Sequence, residues 1–351
     1  MPAQVFNLIR KIGNLAQERG FSAYIVGGFV RDFLLGIGNL DLDIVLETDA
    51  LDFVKILKDK FKLNVVTHRR FGTATVTMPS GFKIDIASAR EEYYPYASAL
   101  PAITYSSIKE DLFRRDFTIN ALAIKINRDN FGQLLDLFDG LKDLTEGKIR
   151  VLHGKSFIDD PTRILRAIRF EQRYNFTIEE NTARLIEQAK RKGMLRKLSR
   201  FRVGDELILI LKEEDPLKSL KRIYRLCGLG FIHPLIKIDK MVSRQFESIK
   251  REVILFRRNH AGRSLENWLI YFMILTFRLS LPQIKRLCRD FCLTRRDVRK
   301  IDLFKRNATR TIKLIDKDKS MPAHRVYEIL SHFSDEAILL FFAWLKPGGP
   351  E

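Results

Sequence analysis

Two aspartates separated by one residue close the stretch Gly27–Asp43, whose sequence is GGFVRDFLLGIGNLDLD. Asp41 and Asp43 begin the alternating run DLDIVLE, and residues i and i+2 of a strand project from the same face. Two neighbouring carboxylates repel each other unless a cation lies between them, and hard oxygen ligands of this kind suit Mg²⁺. Gly27 and Gly28 follow the apolar run AYIV, where they would let a phosphate approach the backbone at the start of a helix. The pattern predicts that a metal ion and a nucleoside triphosphate meet here, although acid pairs also occur on exposed strands without any ligand.

A third acidic residue, Asp85, lies in the strand-like run FKIDIAS. A carboxylate among apolar residues is costly unless it is paired or bound to a metal. The alternative is an outward-facing acid on an edge strand. Together with Asp41 and Asp43, Asp85 would form a triad for two metal ions, one activating an attacking hydroxyl and the other stabilising a leaving pyrophosphate. We therefore predict these three aspartates as catalytic and Asp41 and Asp43 as metal ligands.

The elements that must position these residues alternate between strand and helix patterns. Strands are predicted for AYIV, DLDIVLE, LNVVTH, GTATVTM, FKIDIAS and DFTINALAIKI, with a hairpin turn at SGF between the fourth and fifth. The run DALDFVKILKDKF predicts a helix with Asp49 near its start. Residues 91–106 contain two prolines and no periodicity, which predicts a mobile loop. From about Asp160 onward nearly every segment has a helical pattern, so we expect an α/β domain followed by an all-helical region.

The charge of the chain is unevenly distributed. Residues 1–150 contain 20 Lys and Arg against 19 Asp and Glu, whereas residues 151–351 contain 42 against 24, within a formal net charge of +19. This asymmetry predicts chemistry in the first part and binding of a polyanion by the second. The basic runs at 250–263 and 294–300 are candidates for phosphate contacts, although each also fits a solvated helix face.

The three cysteines favour no metal site or disulfide framework. Cys288 and Cys292 are one helical turn apart, but neither a histidine nor a further cysteine nearby completes a ligand set, and Cys227 lies far away in sequence. We therefore expect buried reduced thiols and a cytoplasmic location. The N-terminal segment is charged throughout, unlike a signal peptide, and no apolar run is long enough to cross a bilayer, so we expect no membrane partner. The pattern does not determine an oligomeric state.

Four motifs occur in a fixed order: YIVGGFVRDFLLGIGNLDLDIV, EDLFRRDFTINALA, LLDLFDGLKDL and DDPTRILRAIRF. Over residues 20–210 this set resembles the class II tRNA nucleotidyltransferase and bacterial poly(A) polymerase family. The resemblance implies an α/β N-terminal head with a polymerase-β-like nucleotidyltransferase fold, a small mixed sheet with helices, over residues 1–145. It further implies an all-α neck with a nucleotide-base template over residues 146–215, and an all-α body and tail that bind tRNA over residues 216–351.

The first two motifs would bind the nucleotide. By resemblance, Gly27, Gly28 and Arg31 shape the triphosphate site. Arg115 and Asp116, in RRDFT, match the positions that recognise the ribose, whose 2′-hydroxyl separates NTP from dNTP.

Two further motifs imply structural roles. Asp136, Gly140 and Asp143 match the hinge between head and neck. The segment RFRVGDEL resembles the last motif of the family, in which Arg202 and Glu206 are spaced for an intrahelical ion pair.

The motif DDPTR implies a protein template for the incoming base. Asp160 only accepts hydrogen bonds and Arg163 only donates them, which matches the donor and acceptor edge shared by cytosine and adenine and rejects uracil and guanine. Asp159 stands where the family usually has Glu, which puts nucleotide preference in question. The alternative for Asp160 and Arg163 is a helix-start acid with an ordinary ion pair. Arg166 and Arg169 follow at a spacing of three, as phosphate ligands or as a solvated helix face.

The resemblance implies template-independent transfer of nucleotides from ATP and CTP to tRNA 3′ ends with Mg²⁺ and release of pyrophosphate. Addition of CCA, addition of the terminal A alone and poly(A) synthesis all remain open. Addition of CC alone is disfavoured, because the loop at 91–106 has its full length. A more distant alternative is an RNA-binding protein that keeps the scaffold without catalysis.

Overall fold

The computed structural model of this chain describes residues 2–69, 72–93, 102–260, 262–318 and 320–345. The chain divides into two compact units, each made of two separate stretches. The first unit contains Met1–Arg163 and Tyr174–Arg191, and the second contains Ile164–Arg173 and Lys192–Glu351.

The first unit is built on a mixed sheet. In the described residues its seven strands lie in the order β3-β4-β5-β2-β1-β8-β9, and every neighbouring pair is antiparallel except β2 with β5. The strands are β1 (Ala23–Val26), β2 (Leu42–Leu46), β3 (Asn64–His68), β4 (Thr73–Thr77), β5 (Lys83–Ser88), β6 (Arg90–Tyr93), β7 (Ala102–Tyr105), β8 (Leu122–Lys125), β9 (Leu134–Asp136), β10 (Lys148–Ile149) and β11 (Thr177–Ile178).

Helices surround this sheet and account for most of the second unit. They are α1 (Ala3–Glu18), α2 (Gly28–Leu34), α3 (Ala50–Phe61), α4 (Ile108–Phe113), α5 (Gly140–Thr145), α6 (Ser156–Asp159), α7 (Thr162–Tyr174), α8 (Glu180–Arg191), α9 (Arg200–Lys212), α10 (Pro216–Cys227), α11 (Lys240–Asn259), α12 (Asn267–Thr276), α13 (Leu281–Asp290), α14 (Arg295–Lys317), α15 (Ala323–Leu330) and α16 (Asp335–Leu345). The prediction of an α/β head followed by a helical region is confirmed.

Local sequence signals account for the elements that flank the candidate site. The Asp49 side chain caps α3 by accepting a hydrogen bond from the Leu51 amide at 2.7 Å. The predicted hairpin between β4 and β5 is present, and the Met78 amide donates to the Phe82 carbonyl across its turn. Because β2 and β5 are parallel, a crossover through α3, β3 and β4 must connect them. This connection sets Asp43 and Asp85 on adjacent strands.

The loop prediction for residues 91–106 is wrong at both ends. Strands β6 and β7 pair antiparallel there, with Arg90 opposite Tyr105 and Tyr93 opposite Ala102. The rest of the predicted loop, residues 94–101 with both prolines, is outside the described part of the chain.

Each unit has its own apolar core. In the first unit, buried side chains from β1, β2, α4 and β8 pack together with Ala89, which follows β5, and Ala121, which precedes β8; the others are Tyr24, Val26, Val45, Ile108, Leu112 and Ala123. In the second unit every residue of α12 except Asn267 is buried, and this helix packs against α9, α11, α14 and α16. A helix that is apolar on all sides is typical of a bundle centre.

The cysteines are reduced. Cys288 is buried as expected, with burial raising the pKa of its thiol to about 12, whereas Cys292 is exposed. Among the residues that the structure describes, no helix combines the length and apolarity needed to traverse a lipid bilayer.

Candidate active site

Strand β1 is followed directly by a glycine turn. Gly27 has φ 75° and ψ −141°, a conformation that is open almost only to glycine, and α2 begins at the next residue. A Cβ atom at Gly27 would lie 2.8 Å from Arg115 Nη1 and 3.6 Å from Asp43 Oδ2. The absence of a side chain therefore lets a guanidinium and a carboxylate approach the same turn.

The register of the sheet puts Asp43 at the centre of this site. Asp43 pairs with Val26 on β1 and with Asp85 on the parallel strand β5. Burial raises the pKa of Asp43 to about 6; Arg115 acts to lower it, while the carboxylates of Asp41 and Asp85 raise it further. The protein therefore supplies too little positive charge near Asp43 to stabilise the charged form of its carboxylate.

A divalent cation would supply the missing charge. Asp41 is exposed and directly precedes β2, whereas Asp43 is half-buried within that strand. The charge of Asp41 acts on the pKa of Asp43, so the two carboxylates lie in one region. Carboxylate oxygens are the ligands that hard divalent cations prefer. The donor set of Asp41 and Asp43 fits such an ion.

Asp85 does not complete a closed ligand set. Its Oδ1 accepts a hydrogen bond of 2.6 Å from Thr75 Oγ1, which lies opposite on β4. Among the described residues, no group of three or more His, Cys, Asp or Glu side chains is arranged to hold a metal ion. The Thr75 hydroxyl is thus the hydrogen-bond partner of Asp85 in this structure. The three-carboxylate metal site and a catalytic role for Asp85 both stay predictions.

A buried carboxylate orients the arginine pair of the RRDFT motif. Asp111 is fully buried and accepts hydrogen bonds from Arg114 Nη2 at 2.7 Å and Arg115 Nη2 at 3.0 Å. Burial acts to raise the pKa of Asp111, but the Arg115 and Arg114 guanidiniums outweigh it and hold the pKa below its ordinary value. The Nε–H of Arg115 is buried and has no hydrogen-bond partner within the described residues. Arg115 therefore keeps a donor beside Asp43.

Asn120 joins two of the predicted nucleotide-binding residues. Its amide donates to Asp116 Oδ1 at 2.9 Å, and its Oδ1 accepts from Arg31 Nη1 at 2.6 Å. Thr118–Asn120 forms a 3₁₀ turn, not the predicted strand, which begins only at β8. This turn carries the Asn120 amide between Asp116 and Arg31, a link that the sequence pattern did not indicate.

Asp32 accepts the hydrogen bonds of a second buried network. It is 1% exposed and accepts hydrogen bonds of 2.8 Å each from Arg31 Nε, Asn39 Nδ2 and the Tyr174 hydroxyl. The Arg31 guanidinium lies over the Tyr174 ring at 4.8 Å and is itself 4% exposed. Arg31 is thus held by protein partners at the base of the glycine turn. Gly28 leaves room for it, since a Cβ there would lie 3.5 Å from Arg31 Nη2.

Asn39 extends this network to the acidic pair. Its Oδ1 accepts the Asp41 amide at 2.8 Å while its Nδ2 donates to Asp32. An asparagine that accepts an amide two residues further on is a recognisable turn signal. Neither Asn39 nor Asp32 belongs to a ligand pattern, so the sequence alone does not indicate their roles.

Arg163 of the predicted base template is anchored in the first unit. It is 5% exposed, and its guanidinium donates to Ser156 Oγ at 2.7 Å and to the Arg114 carbonyl at 2.6 Å. Ser156 is fully buried. These two bonds fix the guanidinium beside the RRDFT motif and leave the remaining N–H groups of its planar fork in a defined orientation.

The two aspartates of DDPTR have different surroundings. Asp160 Oδ1 accepts the Thr162 amide at 3.0 Å, so its carboxylate lies at the start of α7. Asp159 Oδ2 lies 4.0 Å from His153 Nδ1, and in the described part of the chain no hydrogen bond or ion pair joins Asp159 to Arg163. Ser156, rather than Asp159, therefore orients the arginine.

The hinge motif forms a compact junction in the first unit. The Asp136 carboxylate accepts the Gly140 amide at 2.8 Å at the start of α5. A Cβ atom at Gly140 would lie 2.3 Å from the Thr118 carbonyl oxygen, so only glycine fits. Asp143 is buried and accepts from Thr118 Oγ1 at 2.7 Å and from Arg150 Nε at 2.9 Å.

Arg166 and Arg169 belong to the second unit. Arg169 is 6% exposed and lies 3.3 Å from Glu213 and 3.6 Å from Glu206, while Arg166 lies 3.3 Å from Glu206. The solvated-face alternative is therefore wrong for Arg169, because two glutamates of α9 and its C-terminal end neutralise it in a buried position. Phosphate binding by either arginine stays a prediction.

Comparison with known proteins agrees with this geometry. Residues 23–150 match the poly(A) polymerase head domain, and residues 175–238 match the probable RNA- and SrmB-binding site of polymerase A. The A-adding tRNA nucleotidyltransferase of Geobacter sulfurreducens is 43% identical over 80% of this chain and 32% of its own length. The enzyme of the same description from Aquifex aeolicus is 35% identical over 91% of this chain and 38% of its own. The chain thus spans about a third of the length of these relatives.

Solved structures match nearly the whole chain. A CCA-adding enzyme in its apo form II is 38% identical, with a TM-score of 0.81, over 99% of this chain and 81% of the other. The Thermotoga maritima CCA-adding enzyme complexed with tRNA is 37% identical, with a TM-score of 0.76, over 99% and 80%.

The sheet, the glycine turn and the acidic pair define a polymerase-β-like nucleotidyltransferase head, here followed by a helical region. The chain belongs to the family of tRNA nucleotidyltransferases and poly(A) polymerases.

Proposed function

We propose that this protein adds nucleotides to the 3′ ends of tRNA without a nucleic-acid template, using ATP, with CTP as a second candidate substrate, and Mg²⁺. The observation that carries the proposal is the placement of Asp43. Its half-buried carboxylate lies beside a glycine turn, a guanidinium and a second carboxylate. The protein supplies too little positive charge there to stabilise the charged form of this carboxylate. A triphosphate with its metal ion has the complementary chemistry.

Asp41 and Asp43 would hold the metal ion. When bound, Mg²⁺ supplies positive charge to the phosphate oxygens and lowers the pKa of a hydroxyl that approaches them. Asp85 adds a further negative charge to this region, which strengthens its attraction for a cation.

The other candidate site residues of the first unit bind and orient the substrate. The Gly27 turn leaves space for a phosphate next to the backbone. Arg115 keeps its Nε–H for an anionic oxygen, while Asp111 holds the rest of its guanidinium in place. The pair of Asp160 and Arg163 accepts bases that present a donor beside an acceptor, as cytosine and adenine do. Ser156 and the Arg114 carbonyl support this selection because they fix Arg163.

The relatives support two activities that share one step. The Geobacter sulfurreducens and Aquifex aeolicus relatives are named A-adding, while the solved structures are CCA-adding enzymes. Both activities require transfer of AMP to tRNA that ends in CC. We therefore take this transfer as the central prediction of the proposal.

Radiolabelled ATP and CTP, supplied with Mg²⁺ to tRNA ending in C, tRNA ending in CC and an unstructured oligoribonucleotide, test it. We expect one AMP on tRNA ending in CC. CMP incorporation on tRNA ending in C would identify a CCA-adding enzyme, and its absence an A-adding one. Repeated AMP addition to the oligoribonucleotide would indicate poly(A) synthesis. A chain that binds tRNA but labels none of these RNAs would refute the proposal and favour the non-catalytic alternative.

A further inference from the structure

A cavity of about 290 Å³ opens in the second unit, and none of the residues that line it belongs to the four motifs. The first turn of α10 forms one wall, and Phe246 and Lys250 of α11 form another. Tyr271 of α12 contributes the aromatic part of the lining. The proposed nucleotide transfer uses none of these residues.

The α10 wall carries an excess of positive charge. This 12-residue helix has no acidic residue in its first turn, and Asp215 at its N-cap position makes no capping hydrogen bond. The N–H groups of a first turn have no partner within the helix and form the positive end of its dipole; because Pro216 has no N–H, Leu217 and Lys218 supply the first of them. Lys218 adds charge in the first turn, where helices usually place acids, and Lys221 adds charge in the second; neither forms an ion pair among the described residues.

Acidic residues only partly offset this charge. Asp215 lines the cavity but forms an ion pair with Lys250 at 3.1 Å. Glu247 is an exposed residue at the rim. Three lysines therefore accompany two carboxylates, one of which is already neutralised.

Tyr271 offers an unused hydrogen-bond donor. Its side chain is 4% exposed and stacks on Phe246, with ring centroids 4.7 Å apart. Tyrosine hydroxyls on largely buried side chains usually find a partner, yet within the described residues this one has none, and its oxygen keeps some access to solvent. Burial raises the pKa of Tyr271 to about 12, so the hydroxyl keeps its proton at neutral pH. Because the residue lines the cavity, a ligand with acceptor oxygens would complete its bonding.

We propose that this cavity binds a phosphate group and that the phosphate belongs to the backbone of a bound RNA strand. Lysine ammonium groups, helix N–H groups and a tyrosine hydroxyl are all donors, which matches an anion that carries several acceptor oxygens. The stacked pair of Phe246 and Tyr271 provides an apolar surface for the attached ribose or base. The anion chemistry rests on the cavity alone, while the RNA source rests on the proposed function.

Equilibrium binding of tRNA ending in CC to the full chain, without nucleotide and over a range of salt concentrations, tests the proposal. Tyr271→Phe removes only the hydroxyl, and we expect affinity to fall by about tenfold, as for removal of a hydrogen bond to a charged group. Lys218→Gln combined with Lys221→Gln should make the slope of log K against log salt shallower by about 0.7 to 0.9 for each phosphate that the variant no longer neutralises. Lys58→Gln, an exposed lysine of α3 in the first unit, is the matched control and should change neither quantity.

Circular dichroism and thermal melting of each variant distinguish weaker binding from incomplete folding. Wild-type affinity and slope in both Tyr271→Phe and the double lysine variant would overturn the proposal.

A second experiment identifies the source of the phosphate. It follows the NMR resonances of the Leu217 and Lys218 backbone amides. Shifts on addition of tRNA, but not of inorganic phosphate or pyrophosphate at low millimolar concentration, assign the site to RNA. Shifts with the free anions, together with unchanged RNA affinity of the variants, would overturn the RNA source. These binding measurements do not require catalysis. A wild-type chain that fails to transfer AMP leaves them interpretable, and variants that bind RNA normally count against the cavity alone.

Discussion

Asp43 is the side chain on which the proposed chemistry most depends. It is half-buried, it faces Asp85 across two parallel strands, and burial raises the pKa of its carboxyl to about 6. We expect Asp43→Asn to lower AMP incorporation by at least about a thousandfold, because loss of one charge removes the affinity of the pair for a divalent cation. Affinity for tRNA should stay within about twofold of wild type, since the charge that attracts RNA lies in the second part of the chain.

Single-turnover incorporation and tRNA binding, measured on the same preparation, provide the check. Substantial incorporation by Asp43→Asn would remove the metal site from the mechanism. Chelation of divalent ions should abolish incorporation by the wild-type chain, and added Mg²⁺ should restore it.

Base selection is a second property that belongs to single residues. The structure assigns the orientation of Arg163 to Ser156, while Asp159 lies near His153 instead. We expect Ser156→Ala to relax discrimination against UTP and GTP by about tenfold, as for removal of a hydrogen bond to a charged donor. Asp159→Ala is the comparison variant and should change discrimination much less. Arg163→Ala should abolish the discrimination but also remove two buried hydrogen bonds.

Ratios of incorporation for the four nucleoside triphosphates measure this property independently of the amount of folded protein. If Asp159→Ala relaxed discrimination more than Ser156→Ala, the assignment of the positioning role to Ser156 would be wrong.

At the scale of elements, the glycine turn between β1 and α2 is the feature most sensitive to substitution. Gly27→Ala forces a side chain into a backbone conformation reserved for glycine, at a cost of about 1–3 kcal/mol, and places a Cβ 2.8 Å from Arg115 Nη1. We expect reduced thermal stability together with a loss of incorporation. Gly38→Ala, with no atom within 4 Å of the added Cβ, should retain both. Equal behaviour of the two variants in melting and incorporation assays would contradict this account.

The loop between α2 and β2 depends on Asn39, which connects Asp32 to the amide of Asp41. We expect Asn39→Ala to raise the Mg²⁺ concentration needed for half-maximal incorporation by several-fold, because the backbone that carries one ligand is no longer held. Asn130→Ala, at an exposed position of the first unit, should leave that concentration unchanged. A lower maximal rate with an unaltered Mg²⁺ requirement would indicate a purely structural role for Asn39.

The elements themselves were largely predictable, whereas their side-chain partners were not. The period-two runs identified β1, β2 and the β4–β5 hairpin, and Asp49 identified the start of α3. The pattern missed β6 and β7, because two prolines dominate the local sequence signal and cross-strand pairing is not a local property. It also did not indicate the hydrogen bond that Thr75, on the neighbouring strand, donates to Asp85. Partners such as Asn39, Asn120 and Ser156 belong to no ligand pattern, and Asn120 contacts Arg31 from a distant part of the chain, so only the fold reveals them.

For the whole molecule, the dominant property is the charge of residues 151–351, in which basic residues exceed acidic ones by 18. We expect tRNA affinity to fall by about a thousandfold or more between about 50 and 200 mM salt, as for proteins that neutralise several phosphates. Helices α11 and α14 carry the basic runs at 250–263 and 294–300, and charge-neutral variants there should reduce the slope. An affinity that is insensitive to salt would exclude phosphate neutralisation as the main source of binding.

The division of the chain into two units has a consequence for how it can be cut into fragments. Residues 164–173 belong to the second unit although the residues on both sides of them, up to Arg163 and from Tyr174 to Arg191, belong to the first. No single cut of the chain can therefore release either unit whole. A fragment that begins at Lys192 lacks ten residues of its own unit, all of them in α7.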